Sequence, residues 1–230
     1  MSETSHLRTI RSFVLRQGRI TAPQQFALDQ LWPIYGLEPD RTLDPVAIFG
    51  RSAPVVLEIG FGNGESLAEM AATNPDRDYV GIEVHRPGVG HLLLKIREQE
   101  LSNVRVYCAD AVEIMHARIP EACLSGLQVF FPDPWHKKRH HKRRLINAEF
   151  IALAATKLRI GGILHCATDW EDYALQILDV LGDCKKFKNL AGAGKFAERP
   201  DHRQLTKFEN RGQRLGHGVW DLIYERIDAD

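Results

Sequence analysis

VVLEIGFGNGES, residues 55–66, is a short aliphatic, β-branched run that passes directly into glycine at every second position, Gly60, Gly62 and Gly64. A continuous apolar run of this length bounded by glycine reads as a strand buried on both faces, because a half-exposed strand would alternate. Glycines directly behind a strand permit a tight turn and a close backbone approach to a ligand. ESLAEMAAT, which overlaps and follows the last of them, has helical composition. Strand, glycine turn and helix open a parallel α/β sheet.

The same rhythm continues downstream. DYVGIEV (78–84) reads as a second strand with a helix near GVGHLLLKIREQE, and VRVYC (104–108) as a third, with a helix from Ala111 to about Arg118. LQVFF (127–131) is the fourth. A helix around 145–158 places Ile146, Phe150 and Leu153 on one face and is ended by Gly161-Gly162, and GILHCAT (162–168) is the fifth strand. Strands alternating with helices imply right-handed crossovers and a mostly parallel sheet covered on both faces. KFKNL (186–190) and VWDLIYERI (219–227) read as further strands around a polar loop, FAERPDHRQLTKFENRGQRLGHG. A loop of that length inside a compact domain is functional or disordered. Upstream, TAPQQFALDQLW reads as a short helix with Thr21 as its cap and Pro23 in the first turn.

At 230 residues and 44% hydrophobic, the chain has the size of one domain with extensions. Thirty Lys/Arg balance thirty Asp/Glu, so the overall field selects neither a nucleic acid nor a membrane. The distribution is more informative. Residues 4–28 hold Arg8, Arg11, Arg16 and Arg19 without an acid, and residues 134–148 are also acid-free. A neutral protein with concentrated basic zones can bind a polyanion on one face. Cys108, Cys123, Cys166 and Cys184 include no C-x-x-C pair, which suits thiols in a reducing compartment better than disulfides or zinc. No run approaches about 18 apolar residues, and the arginine-bearing N-terminus has no apolar segment, so neither a membrane span nor a signal peptide is expected.

In open parallel sheets, ligands bind beyond the carboxyl ends of the strands. An acid stands at or just beyond each of the first five ends: Glu58, Glu83, Asp110, Asp133 and Asp169. Singly, such acids are ordinary helix caps, Asp110 above all. Together with the glycine turn they outline a site. Glu83 follows Gly64 by 19 positions, close to the spacing of roughly 20 at which a strand-two acid grips ribose hydroxyls. A dinucleotide site prefers G-x-G-x-x-G and needs positive character at the pyrophosphate. Here the pattern is E-x-G-x-G-x-G surrounded by acids, which suits S-adenosylmethionine, cationic at sulfur and at its ammonium. Gly60, Gly62 and Gly64 would approach the donor, Glu83 its ribose and Asp110 its adenine amine.

FFPDPWHKKRHHKRR (130–144) holds Asp133 between two prolines, directly before six Lys/Arg and three His. The prolines fix φ on both sides of the carboxylate, which suits a positioned catalytic group or a rigid turn. Six cations just ahead of a helix starting near Leu145 repel one another and oppose the helix dipole, and bound phosphates would relieve both. His136 and His140 have helical spacing, but the surrounding cations argue against a metal.

These stretches resemble one known family. LEIGFGNGESL, GIEVHRPGVG, DAVEI, FFPDPWHKKRHHKRR, GGILHCATDW and RPDHRQLTKFENRGQRLGHGVWDL are similar to the corresponding blocks of bacterial tRNA (guanine-N7-)-methyltransferases and cover most of residues 55–225. PDPWHKKRHHKRR and TKFENRG are far more specific than the glycine turn. The resemblance implies a Rossmann-like class I S-adenosylmethionine-dependent fold, a mostly parallel seven-stranded sheet with the last strand antiparallel. It implies that Glu58, Glu83, Asp110 and Asp133 contact the methyl donor and that Asp133 is catalytic. It further implies that Lys137, Asp169, Thr206, Lys207, Phe208 and Glu209 contact the substrate, and that Arg139, His140, His141, Lys142, Arg143 and Arg144 touch RNA.

The expected activity is methylation of guanine N7 in the tRNA variable loop, without metal, by a cytoplasmic monomer or homodimer needing no partner subunit and no membrane. Residues 1–52 would form a basic arm with a short helical extension, and 53–230 the methyltransferase domain. The competing readings are an exocyclic-amine base methyltransferase, since Pro-Asp-Pro-Trp is similar to the Asp/Asn-Pro-Pro-aromatic motif of those enzymes, a non-catalytic RNA-binding subunit, and an NAD enzyme. Phe208 or Trp135 would stack on a flipped base or anchor its own loop.

Overall fold

A computed structural model describes residues 13, 18–200, 203 and 218–228. In chain order the elements are α1 (Ala22–Gln30), α2 (Trp32–Tyr35), β1 (Gly36–Leu37), α3 (Pro45–Phe49), β2 (Val55–Ile59), α4 (Glu65–Thr73), β3 (Asp78–Ile82) and α5 (Arg86–Glu98). There follow β4 (Val104–Tyr107), α6 (Ala111–Ala117), β5 (Leu124–Phe130), a 3-10 turn (Lys138–Arg143), α7 (Ala148–Lys157), β6 (Leu158–Thr168), α8 (Glu171–Gly182), β7 (Phe187–Asn189) and β8 (Trp220–Arg226).

Among the described residues, eight strands form one sheet in the order β1-β4-β3-β2-β5-β6-β8-β7. Neighbours are parallel except at β8, which runs antiparallel to both β6 and β7. The seven expected strands are present with the last one reversed, and the two-residue β1 adds an eighth at the edge. Growth of the sheet changes direction at β2, which lies between β3 and β5, so a crevice opens at the carboxyl ends of β2 and β5.

Burial follows the sequence pattern. β2 and β3 are buried at all five positions each. Val55, Leu57 and Ile59 enter the core shared with α6, α7 and α8, whereas Val56 joins the opposite core with α1, α4 and α5. α1 begins as expected: Thr21 and Gln24 form a reciprocal capping box with Pro23 in the first turn.

α7, β6 and α8 differ from expectation. α7 starts later, at Ala148, because Asn147 is its cap and accepts from Phe150 N at 3.0 Å. It ends at Lys157, and Gly161-Gly162 lie inside β6 instead. There Gly161 adopts φ 75°, where the pairing with β5 shifts register between Leu124 and Gly126, so this glycine makes a strand irregularity and not a helix stop. α8 has no counterpart in the sequence reading. Its N-cap, Trp170, offers no capping side chain, although buried Tyr173, Ala174, Ile177 and Leu181 carry helical spacing.

Candidate active site

The turn after β2 is built on glycine conformations. Gly60, Gly62 and Gly64 have φ of 74°, 59° and 73°. A Cβ at Gly64 would stand 2.7 Å from the Leu92 Cβ, while Gly60 and Gly62 face open space. One carboxylate braces the turn against the next strand. Glu83 Oε2 accepts from Gly62 N at 2.9 Å, and its Oε1 accepts from Val84 N at 2.7 Å and His85 N at 2.9 Å. The first turn of α5 presses on the same loop: a Cβ at Gly88 would fall 2.1 Å from the Gly62 carbonyl oxygen.

A cavity of about 230 Å³ opens at the switch point, lined by Phe13, Gly60, Glu83, Phe131, Asp133, Leu145 and neighbouring residues. The structure therefore brings Gly60, Glu83 and Asp133 to one cavity. Ala109 and Ala111 also line it, while Asp110 between them caps α6, its Oδ1 accepting from Val112 N at 2.8 Å and Glu113 N at 3.3 Å.

Glu58 lies one residue behind the cavity-lining Ile59 and is 3% exposed. Its Oε2 has no hydrogen-bond partner among the described residues. Burial first, and the charge of Glu83 second, push its carboxyl up to about 8, so at neutral pH it is mostly protonated. A cationic group nearby would favour its ionised form. An orphaned buried carboxyl under a glycine turn therefore fits a ligand bearing an ammonium and a sulfonium.

The loop after β5 is built differently. Phe131 and Trp135 flank Pro-Asp-Pro with φ of 51° and 48°. Left-handed backbone at a non-glycine residue costs on the order of 1–3 kcal/mol and persists where the surroundings over-determine it. Here they do. Phe131 N donates to Ala167 O on β6 at 2.8 Å, and the Arg203 guanidinium lies 5.6 Å above the Phe131 ring. Arg203 is buried and forks onto Asp221 of β8 at 2.6 and 2.8 Å, and His165 Nε2 meets the same carboxylate at 2.7 Å. Burial pushes the Asp221 carboxyl up, but the bonds from His165 and Arg203 outweigh it and hold it below the usual carboxylate range. On the other side of the loop, Arg144 Nε donates to Pro134 O at 2.8 Å, and Arg143 lies 5.0 Å above the Trp135 ring. Asp133 is thus exposed at the cavity rim on a loop fixed at both ends.

The basic run forms its own 3-10 turn rather than the N-terminus of α7. The expected conflict with that helix dipole is therefore absent, since Arg144 to Asn147 separate the two. Lys137, Arg139, Lys142 and Arg143 are exposed, and His140 and His141 half-buried. Desolvation and then the neighbouring Arg139, Arg143, Lys137 and Lys142 hold the His140 imidazole below its usual range. The His136 ring packs edge-on against Trp170 and the His140 ring against Trp135, so the two imidazoles have separate aromatic partners. Arg144 departs from the run: its side chain is 1% exposed and fully engaged inside the fold.

Asp169 is exposed at the end of β6, the strand paired with β5 through Phe130 and Ala167, so it leaves the sheet beside the Asp133 loop. Thr206, Lys207, Phe208 and Glu209 lie outside the described residues. Sequence reasoning missed Gly88 and the His165–Asp221–Arg203 cluster. Two glycines, Gly88 and Gly90, within a 13-residue helix are a signal of close packing, since each costs roughly 1 kcal/mol against alanine. The cluster had no local signal, as its members come from three separate stretches.

A mostly parallel sheet with a reversed last strand, and a glycine turn braced by the strand-two acid, define the fold of class I S-adenosylmethionine-dependent methyltransferases. A solved 16S rRNA methyltransferase, KamB, shares this fold with a TM-score of 0.60 over 82% of this chain and 95% of that chain, at 18% identity. Residues 52–222 match the model of a family described as putative methyltransferase. The tRNA (guanine-N(7)-)-methyltransferase of Methylococcus capsulatus is 61% identical over 219 residues, 95% of each chain. The enzyme of that name from Alcanivorax borkumensis is 58% identical over 221 residues, 96% of this chain and 92% of the relative. The chain belongs to the tRNA (guanine-N(7)-)-methyltransferase family. Among the described residues, no helix is long and apolar enough to cross a membrane.

Proposed function

We propose that this protein transfers a methyl group from S-adenosylmethionine to guanine N7 in the variable loop of tRNA, with Asp133 as the catalytic residue. The observation that carries the reading is the position of Asp133, on the rim of the cavity shared with Gly60 and Glu83 and directly before an exposed cationic turn. The donor supplies an electrophilic methyl on a sulfonium. Gly60 and Gly62 let the backbone approach it, Gly64 closes the turn against α5, Glu83 reaches its ribose, and Glu58, Asp110 and Asp133 complete its surroundings.

Guanine N7 carries an in-plane lone pair and no proton, so no base is needed to create the nucleophile. The carbon–sulfur bond breaks as the carbon–nitrogen bond forms, and positive charge moves from sulfur to the purine. A carboxylate fixed at the rim aligns the base and stabilises that charge by accepting from the guanine N1–H or amino group. Asp133 takes this part, and Asp169 or Glu209 assists it. Lys137, Asp169 and Thr206 to Glu209 hold the nucleotide, and Arg139 to Arg143 hold the phosphate backbone. The protein does this in the cytoplasm, without metal and without a partner subunit.

The test is to incubate the purified protein with unmodified tRNA and methyl-labelled donor and identify the labelled nucleoside by mass. The expected product is 7-methylguanosine at one variable-loop position. Label on an exocyclic amine would replace the reading with amine methylation, and tRNA binding without label would make the chain a binding subunit.

A further inference from the structure

Arg144 closes the basic run, yet its environment is that of a core residue. Its side chain is 1% exposed, against the exposed Arg139, Lys142 and Arg143 of the same turn. All three nitrogens of the guanidinium are engaged. Nε donates to the Pro134 carbonyl at 2.8 Å, Nη1 to Gln176 Oε1 at 2.6 Å, and Nη2 to Asp172 Oδ2 at 2.6 Å, with His141 Nε2 at 3.1 Å. The Tyr173 ring lies 4.8 Å from the guanidinium carbon, and the Tyr173 hydroxyl accepts from Ile146 N at 2.9 Å. Gln176 returns a bond to Ile146 O at 3.2 Å. Three residues of α8 therefore grip Arg144 and Ile146.

The accepting carbonyl matters most. Pro134 directly follows Asp133, and its carbonyl begins the peptide leading into Trp135, one of the two left-handed residues of the loop. A buried arginine that ties this peptide to α8 fixes the backbone on which the Asp133 carboxylate rides. A phosphate could reach Arg144 only by displacing Pro134, Gln176 or Asp172. Lysine cannot substitute, because a single ammonium lacks the planar fork that meets acceptors on separate elements.

We infer that Arg144 is a positioning residue for Asp133, clamping the Pro-Asp-Pro-Trp loop to α8, and that it is not one of the RNA-contacting cations of its run. The inference rests on Asp133 acting in methyl transfer.

The test compares Arg144→Lys, Arg144→Met, Asp172→Asn and Arg139→Met in the full chain. It measures turnover, tRNA affinity at several salt concentrations, donor-binding stoichiometry, and amide exchange across residues 131–136. Donor stoichiometry counts the folded fraction, so turnover is expressed per competent molecule. For Arg144→Lys, kcat should fall by about 30-fold or more while tRNA affinity stays within about twofold and its salt slope is unchanged. Exchange at Asp133 and Trp135 should quicken about tenfold. Asp172→Asn should move the same readouts in the same direction by a few fold, which keeps the inference testable if Arg144→Met fails to fold. Arg139→Met should instead weaken tRNA binding and lower the salt slope by roughly 0.7–0.9, the signature of one lost phosphate contact. The inference is overturned if Arg144→Lys reproduces the Arg139→Met pattern, or if it leaves both turnover and exchange unchanged. Asp133→Asn with normal turnover would defeat the catalytic reading alone, and the exchange data would still judge the clamp.

Discussion

Two loops wall the same cavity, and they are made in opposite ways. The loop after β2 reaches its shape through glycine, at φ values glycine adopts freely, with one carboxylate, Glu83, tying three backbone amides. The loop after β5 puts two aromatic residues into the same left-handed region around a pair of prolines and is held by buried arginines from outside. The first is built for closeness: its backbone lies bare at Gly60 and Gly62, where a Cβ would meet nothing within 4 Å. The second needs placement: its one carboxylate must stay where it is. Glycine serves the former at little conformational strain, whereas the latter requires strain sustained by tertiary contacts.

If the loops divide the work this way, their variants should fail in different steps. Asp133→Asn should lower kcat at saturating donor by about 10²–10³-fold, the size of one lost preorganised electrostatic contact. Steady-state kinetics check it, and near-normal turnover would break the comparison at its centre. Glu58→Gln tests the root of the glycine loop. The folded carboxyl is raised from 4.5 to about 8, so the native state holds a proton that the unfolded chain releases. Stability of the parent chain should therefore fall as pH rises from about 4.5 to 8, by at most ~1.4 kcal/mol per pH unit. The glutamine variant should lack this decline, match the parent near pH 4.5 and exceed it at pH 7 in urea melts of the ligand-free protein.

Gly88→Ala should cost about 1–3 kcal/mol in the same melts, because the new methyl meets the Gly62 carbonyl and overpacks the turn. It should weaken donor binding while leaving tRNA affinity intact, and an equal loss of both would blur the distinction between the loops. The smallest effect belongs to the exposed turn. Lys142→Ala should weaken tRNA binding a few fold and reduce the salt slope by roughly 0.7–0.9, with kcat at saturating tRNA unchanged.

The glycine loop was far more legible in the sequence than its counterpart. VVLEI followed by alternating glycines states a buried strand and a tight turn within a dozen residues, and the strand-two acid lies at a readable spacing. Pro-Asp-Pro-Trp announced rigidity but not its cause, since Gln176 and Asp172 on α8 and Arg203 before β8 come near it only through the tertiary fold. Charge counting could not separate Arg144 from Arg143, because burial distinguishes them and composition does not. α8 carries apolar residues at helical spacing but has no capping side chain at Trp170 to mark its start. The edge strand β1, with two residues, is too short for any periodicity to register.

The position of β8 has a kinetic consequence. Among the described residues it lies between β6 and β7, and β7 pairs with β8 alone, so residues 187–189 gain this strand partner only once residues 220–226 exist. Arg203 likewise finds Asp221 only once that strand has been made. During synthesis, the glycine turn and its strands can assemble from chain already in hand, whereas β8 and β7 at one edge of the sheet must wait until residues 220–226 emerge. Closure over that sequence separation is slow relative to local pairing. A chain lacking residues 220–226 would thus complete the glycine turn early and lack the Asp221 anchor of Arg203, so β8 also times the bracing of the loop after β5.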